Sequence, residues 1–268
     1  DSYRSDFLPP IPEGYLEAQE TSELEKAFED YYRQEWNKLP KLKKNADWEE
    51  RRKYDYLQGF LIEKSDARKD FDDVERLLLK TANERSDYIK LSEYFIAKND
   101  FERAKLWLDK AKSLKDDGRL GVSNSLQRAE LKILNFKKDY NSCLDVQWEL
   151  FCENKNISEY QSLMAWAEKA KSKEDFYLKV EKFLKKELSD RRGMHAYQSL
   201  VCLFDVYIYH DKLDLALQLS VDYKLHEGDL HKLAWSLKDT PIKSIPIYFK
   251  LAELKIDLKK RNYYLEAK

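Results

Sequence analysis

The densest set of potential metal ligands in the chain is His226-Glu227-Gly228-Asp229-Leu230-His231. Imidazole and carboxylate together suit zinc and similar ions. A five-residue step between His226 and His231 does not put both imidazoles on one helical face, and Gly228 makes the segment a loop entering a helix. Asp229 is expected as the N-cap of that helix. The carboxylate pairs Asp72-Asp73 and Asp116-Asp117 fall at a helix start and a turn, where solvated Asp is ordinary. Acid–base work asks instead for a partly buried carboxyl with a displaced pKa. Cys143 and Cys152 lie on an apolar helix, as buried structural thiols rather than nucleophiles. GxGxxG, P-loop, GxSxG and HExxH patterns are absent, so the sequence assigns no catalytic, cofactor-binding or metal residue and implies no cofactor.

Lys41-Leu42-Lys43-Lys44 and Arg51-Arg52-Lys53, with Trp48 between them, are the nucleic-acid candidates. Cations interleaved with an aromatic can contact phosphates and stack on a base. Asp47, Glu49, Glu50 and Asp55 share the stretch and dilute its potential, so a solvated helix face is expected.

The elements that position these residues are announced by a recurring phrase. It reads Arg68-Lys69-Asp70-Phe71, Lys98-Asn99-Asp100-Phe101, Lys137-Lys138-Asp139-Tyr140 and Lys173-Glu174-Asp175-Phe176, with His210-Asp211-Lys212-Leu213 and Lys260-Arg261-Asn262-Tyr263 as looser copies. The steps are 30, 39, 36, 37 and 50 residues, the range of stacked helix pairs. A basic residue suits a helix C-terminus, the following Asp caps the next helix, and the aromatic opens its apolar face. Each copy therefore predicts a tight turn between antiparallel helices.

Residues 1–18, with Pro9-Pro10-Ile11-Pro12 and Gly14, read as an extended leader able to lie along its own or a neighbouring surface. Residues 19–66 read as an N-terminal helical cap and 67–268 as a continuous array of about six helix pairs. A helix over 22–38 is followed by one opened by the capping box Asp47-Trp48-Glu49-Glu50, with Trp48, Arg52, Tyr56, Phe60 and Ile62 towards one side. Later helices are expected over 123–136, 139–152, 158–170 (capping box Ser158–Gln161), 175–187, 194–209, 212–223, 229–238, 243–258 and from 262.

Composition agrees with an all-helical chain: 268 residues, 43% hydrophobic and 13% aromatic, with only six Gly and six Pro to punctuate a sheet-rich fold. Net charge is −1, so nothing in the total suggests wholesale attraction to nucleic acid or membrane. Residues 1–30 hold nine acidic and two basic residues, and 243–268 three acidic and seven basic, a pattern of solvated faces. Three cysteines without CxxC spacing fit a reducing, cytoplasmic setting. The richest apolar run, Leu200–Phe204, is far short of the ~20 residues of a membrane span. The chain opens on Asp1 rather than Met, so a piece of a longer protein is expected.

Residues 85–114 resemble a tetratricopeptide (TPR) repeat: Tyr88, Leu91, Ser92 and Phe95, then Ala104, Leu108 and Ala111, fall in its register. Other units depart, with Gln147 where a large apolar residue belongs and Lys179 where a small one does. Lys64–Phe71 and Pro246–Glu253 also resemble parts of a poorly characterised bacterial helical family whose members sometimes accompany a SWIM-type zinc finger, although no finger ligands exist here. The TPR resemblance implies a right-handed α-solenoid whose first helices line a concave groove for another protein or a peptide segment. By that resemblance the groove residues are Ile89, Lys90, Glu93 and Ile96, with Lys90 available to clamp an acidic group. The expected function is a protein-interaction scaffold without catalysis. The alternatives are a nucleic-acid accessory module using basic faces near 33–53, 179–192 or 250–261, and an enzyme with an unfamiliar interhelical site.

Overall fold

The computed structural model describes residues 22–115, 120–190 and 193–257, and all its regular elements there are helices. The expected leader at 1–18, the Asp116-Asp117-Gly118 turn and the Lys260–Tyr263 copy lie outside the described residues. The chain divides into two compact units, residues 1–136 and 137–268.

The first unit holds α1 (Ser22–Lys38), α2 (Trp48–Ala67), α3 (Phe71–Thr81), α4 (Arg85–Ala97), α5 (Phe101–Ser113) and α6 (Leu120–Phe136). Helices close in sequence pack together: α1 on α2, α2 on α3, α4 on α5, and α6 on both α4 and α5. One core joins Tyr32, Trp36, Tyr54, Leu57 and Leu61, and a second joins Leu91, Phe95, Ala104, Leu108, Ala111 and Ala129. Small side chains permit the tight α4–α5 crossing. Ser92 and Ala104 are both fully buried, and Ser92 Oγ donates to the Ala104 carbonyl at 2.8 Å.

The second unit holds α7 (Tyr140–Asn154), α8 (Ile157–Lys169), α9 (Lys173–Asp190), α10 (Met194–Tyr209), α11 (Leu213–Asp222), α12 (Glu227–Ser236) and α13 (Pro241–Asp257). α7 packs on α8, α8 on α9, α9 on α10, α10 on α11 and α12, and α12 on α13. Phe151, Tyr160, Leu163, Val180, Leu203, Phe204, Val206 and Leu233 form its core.

The recurring phrase has a backbone cause. Lys69, Asn99, Lys138, Lys171 and Asp211 all take left-handed φ values of 55 to 61°. At four of them the next amide reaches back five residues: Asp70 to Ser65, Asp100 to Phe95, Ser172 to Ala167 and Lys212 to Tyr207. That is the Schellman C-cap, which satisfies carbonyls the ending helix leaves free. The same residue then begins the next helix, and Asp70, Asp100 and Asp139 accept from the amide three residues on. One residue thus closes one helix and caps another, which leaves room for only a three-residue turn.

Two copies differ from their predicted register. α9 begins at Lys173, so the turn is Ala170-Lys171-Ser172, and Asp175-Phe176 sits inside the first turn of the helix. In the His210 copy Asp211 takes the left-handed position and Lys212 the cap, without a side-chain bond. A lysine at a left-handed C-cap is strained, because its Cβ crowds the carbonyl. Lys69→Gly and Lys171→Gly should therefore each raise stability by about 0.5–1 kcal/mol, the net of strain relief and lost unfolded-state restriction. Asn99→Gly should gain less, since Asn tolerates this conformation. Urea melts of the three variants measure the ranking, and equal gains would refute it.

α2 also turns a different face inward. Tyr54, Leu57, Leu61 and Ser65 are buried, whereas Trp48 is 66% exposed and Tyr56 46% exposed. The Asp47 cap holds, accepting from the Glu50 amide at 2.8 Å. α8 is capped by Asn156 instead of Ser158, with Asn156 Oδ1 accepting from the Glu159 amide at 2.9 Å.

Candidate functional site

The four residues expected to line a groove sit on α4 but do not share one surface. Ile89 is 2% exposed and belongs to the core with Leu91 and Phe95, which corrects its assignment. Lys90 and Glu93 point to solvent and Ile96 is half-buried. The accessible part of the face is thus a Lys–Glu pair of positions beside one isoleucine edge.

The His226–His231 segment is helical from Glu227, with His226 as N-cap, so Asp229 lies one turn inside and does not cap. Its carboxylate accepts from Tyr197 Oη at 3.1 Å, and the Tyr197 ring packs against His226 at 4.7 Å. Glu227 pairs with Lys255 at 2.7 Å and with His231 at 3.5 Å. Among the described residues no three His, Cys, Asp or Glu side chains converge as a ligand set. All three cysteines are free thiols. Burial pushes Cys143 and Cys152 up to about 11 and Cys202 up to about 12, so thiolate is scarce at neutral pH.

In the basic segment Arg51 is spent on structure, its guanidinium donating to the Ala46 and Lys44 carbonyls at 3.1 and 2.5 Å. Arg52 lies over the exposed Trp48 ring at 5.1 Å. The Asp72-Asp73 pair splits: the Asp72 side chain is 82% exposed and that of Asp73 3%. Asp73 accepts from Ser65 Oγ at 2.6 Å, Arg33 at 2.8 Å and Arg76 at 2.5 Å. Burial pushes its carboxyl up, but these donors outweigh burial and hold it below the usual range. Neighbouring Glu29 is held at about 2, chiefly by Arg68 against the opposing effect of burial, with Arg33 adding to it.

The first helices of the second unit are joined by polar links that sequence spacing does not reveal. Tyr160 Oη meets His210 Nε2 at 2.5 Å, and Lys232 pairs with Asp205. Tyr177 packs on the His210 ring at 4.7 Å, and Lys212 lies 3.9 Å above Tyr177. Burial, then Lys212 and Lys173, lower the His210 pKa, with Glu174 opposing. Burial raises Tyr160 and lowers His210, so a protonated hydroxyl shares this hydrogen bond with a neutral imidazole.

A base depressed in the fold loses stability on acidification, because the unfolded chain takes up the proton first. Stability should fall as pH drops below the ordinary His value of 6.5. Below about 4.5 the depressed carboxylates Glu29, Asp73, Asp66 and Glu181 should add a second loss as they protonate. His210→Gln should flatten the upper limb and leave the lower one, as read by urea melts between about pH 7 and about pH 3. An unchanged upper limb would refute the assignment.

A further accessible feature lies on α13, where Ile242, Ile245, Tyr248, Phe249 and Ile256 are 84, 50, 54, 68 and 45% exposed. Beside it a half-open pocket of about 220 Å³ is lined by Lys224, Leu225, Leu230, Lys250, Glu253 and Leu254. Among the described residues no helix is long and apolar enough to cross a membrane. No family model matches this chain, and neither the curated proteins nor the solved structures contain a match.

Proposed function

We propose that the chain is a degenerate TPR-like repeat protein, each unit a short right-handed α-solenoid, and that it serves as a protein-interaction scaffold. One observation carries this reading: the same left-handed turn closes the hairpins α2–α3, α4–α5, α8–α9 and α10–α11, and the helix after each one rests on it. α6 rests on both members of the α4–α5 hairpin, and α10 rests on α8, α9, α11 and α12. A stack built so exposes one face of each first helix, which suits an extended peptide or a partner helix. On α4 that face offers Lys90 and Glu93, with Lys90 placed to pair with an acidic partner residue.

Affinity capture from the native host at low and moderate salt, with Lys90→Glu/Glu93→Lys as the paired control, tests the reading. A stoichiometric protein partner retained by the wild type and lost by the charge-swapped variant supports it. Nucleic acid that leaves as salt rises would replace it with the basic-surface module.

A further inference from the structure

The half-open pocket of about 220 Å³ is built by three consecutive parts of the second unit. Lys224 and Leu225 reach it from the link between α11 and α12, Leu230 from α12, and Lys250, Glu253 and Leu254 from α13. Its volume lies below the roughly 300–1,000 Å³ of sites for drug-sized ligands, so it suits a smaller molecule.

Several charges nearby are consumed within the unit. Lys243 pairs with Asp214 at 2.5 Å, Lys255 with Glu227 at 2.7 Å, and Lys232 with Asp205. Lys224 and Glu253 differ. Both are exposed and both line the pocket, yet among the described residues neither makes an ion pair or a hydrogen bond, with the other or with any third group. A cation and an anion thus share one small pocket and stand too far apart to pair. Lys250 adds a second cation. Its ammonium donates to the Ser220 carbonyl in the last turn of α11, which fixes the side chain and uses one of its three donors. Leu225, Leu230 and Leu254 supply the apolar part of the lining.

We infer that this pocket binds a free α-amino acid with an aliphatic side chain. The ligand carboxylate pairs with Lys224 and Lys250, its ammonium pairs with Glu253, and its side chain lies against the three leucines. The two signs of charge select the class. A fatty acid or a peptide C-terminus would answer the lysines but set a second carboxylate beside Glu253. An aliphatic amine would answer Glu253 and leave both lysines without an anion. A zwitterion answers both. The charges are exposed and screened and the ligand is small, so a dissociation constant of about 1 mM is expected, weakening as salt rises. This site goes beyond the groove on α4 and does not depend on it.

The test is an amide NMR titration of the full chain with L-leucine up to about 20 mM, the range that such an affinity calls for. Leucine should shift the Leu225, Leu230 and Leu254 amides to saturation. Isocaproate, which lacks the ammonium, and isopentylamine, which lacks the carboxylate, should each bind about fivefold more weakly, the value of one exposed ion pair. Glu253→Gln should weaken leucine about fivefold and leave isocaproate undiminished, whereas Lys224→Met should weaken leucine and isocaproate but not isopentylamine. Both positions are exposed, so thermal melting should not change. The absence of a saturable shift with leucine overturns the proposal. So does isocaproate binding as tightly as leucine, which would assign the pocket to an apolar carboxylate. Leucine binding indifferent to both substitutions overturns it as well.

Discussion

Replacing Asp73 with alanine should lower the unfolding free energy by about 3 kcal/mol, the low end for removing one partner of a buried charge network. The carboxylate is 3% exposed and collects three donors, one each from α1, α2 and α3. It also sits in the first turn of α3, where the helix dipole favours negative charge. Without it Ser65 Oγ, fully buried, loses its acceptor, and Arg33 keeps Glu29 at 3.0 Å and a long bond to Ser65 Oγ at 3.5 Å. Arg33→Ala should cost less, since Asp73 retains Ser65 and Arg76 and the Arg33 side chain is 30% exposed. Ser65→Ala should cost about 1 kcal/mol, the ordinary net value of one hydrogen bond. Urea denaturation with the Asp73/Arg33 double-mutant cycle measures the coupling. A loss below about 1 kcal/mol for Asp73→Ala would mean the network is ornamental to stability.

The same residue shows what a sequence can and cannot reveal. Asp72 and Asp73 look alike in the chain, and both suit a solvated helix start. They separate only because α1 brings Arg33 from 40 residues away and α2 ends with Ser65 beneath the α3 N-terminus. Long-range pairing of this kind leaves no periodic trace. Helix existence, by contrast, is local. The helices expected from capping and spacing within the described residues are present, their ends displaced by a few residues. The displacements have local causes too. At α9, Ser172 is as good a start as Asp175, and the left-handed Lys171 chooses the earlier one. In α2, Trp48, Tyr56 and Phe60 compete with Tyr54, Leu57 and Leu61 for the inner face; the second set fills the core with Trp36, while Phe60 and Tyr56 stay at its edge against Tyr32, at 4.5 and 5.8 Å. Ile89 was legible as apolar, but its side of α4 is set by the crossing with α5. The exposed apolar residues of α13 needed the structure, because a helix apolar on two sides reads from sequence simply as a buried one.

Gln147→Leu should destabilise the chain by about 1–3 kcal/mol, although it restores the residue type that the repeat pattern asks for. Gln147 lies eight residues past the Asp139 cap, as Leu108 lies eight past Asp100, and both are 2% exposed. Pattern alone therefore calls the glutamine a defect whose repair should stabilise by hydrophobic burial. The structure makes it a donor: Gln147 Nε2 meets Glu159 Oε2 at 2.7 Å, and the glutamate is only 6% exposed. Leucine would remove that donor from a buried carboxylate and set a methyl against it, and losing a hydrogen bond to a charged acceptor outweighs the gain from one more apolar side chain. Two further variants separate the explanations. Glu159→Gln should be milder, since it replaces the buried charge with a neutral amide able to accept the same bond. Gln147→Leu/Glu159→Leu should recover most of the loss, because replacing both partners by apolar groups of similar size is close to neutral. If Gln147→Leu alone stabilises the protein, the degenerate position is a defect of the repeat. If only the double variant does, the pair is a polar lock between α7 and α8 that fixes their register at the expense of stability.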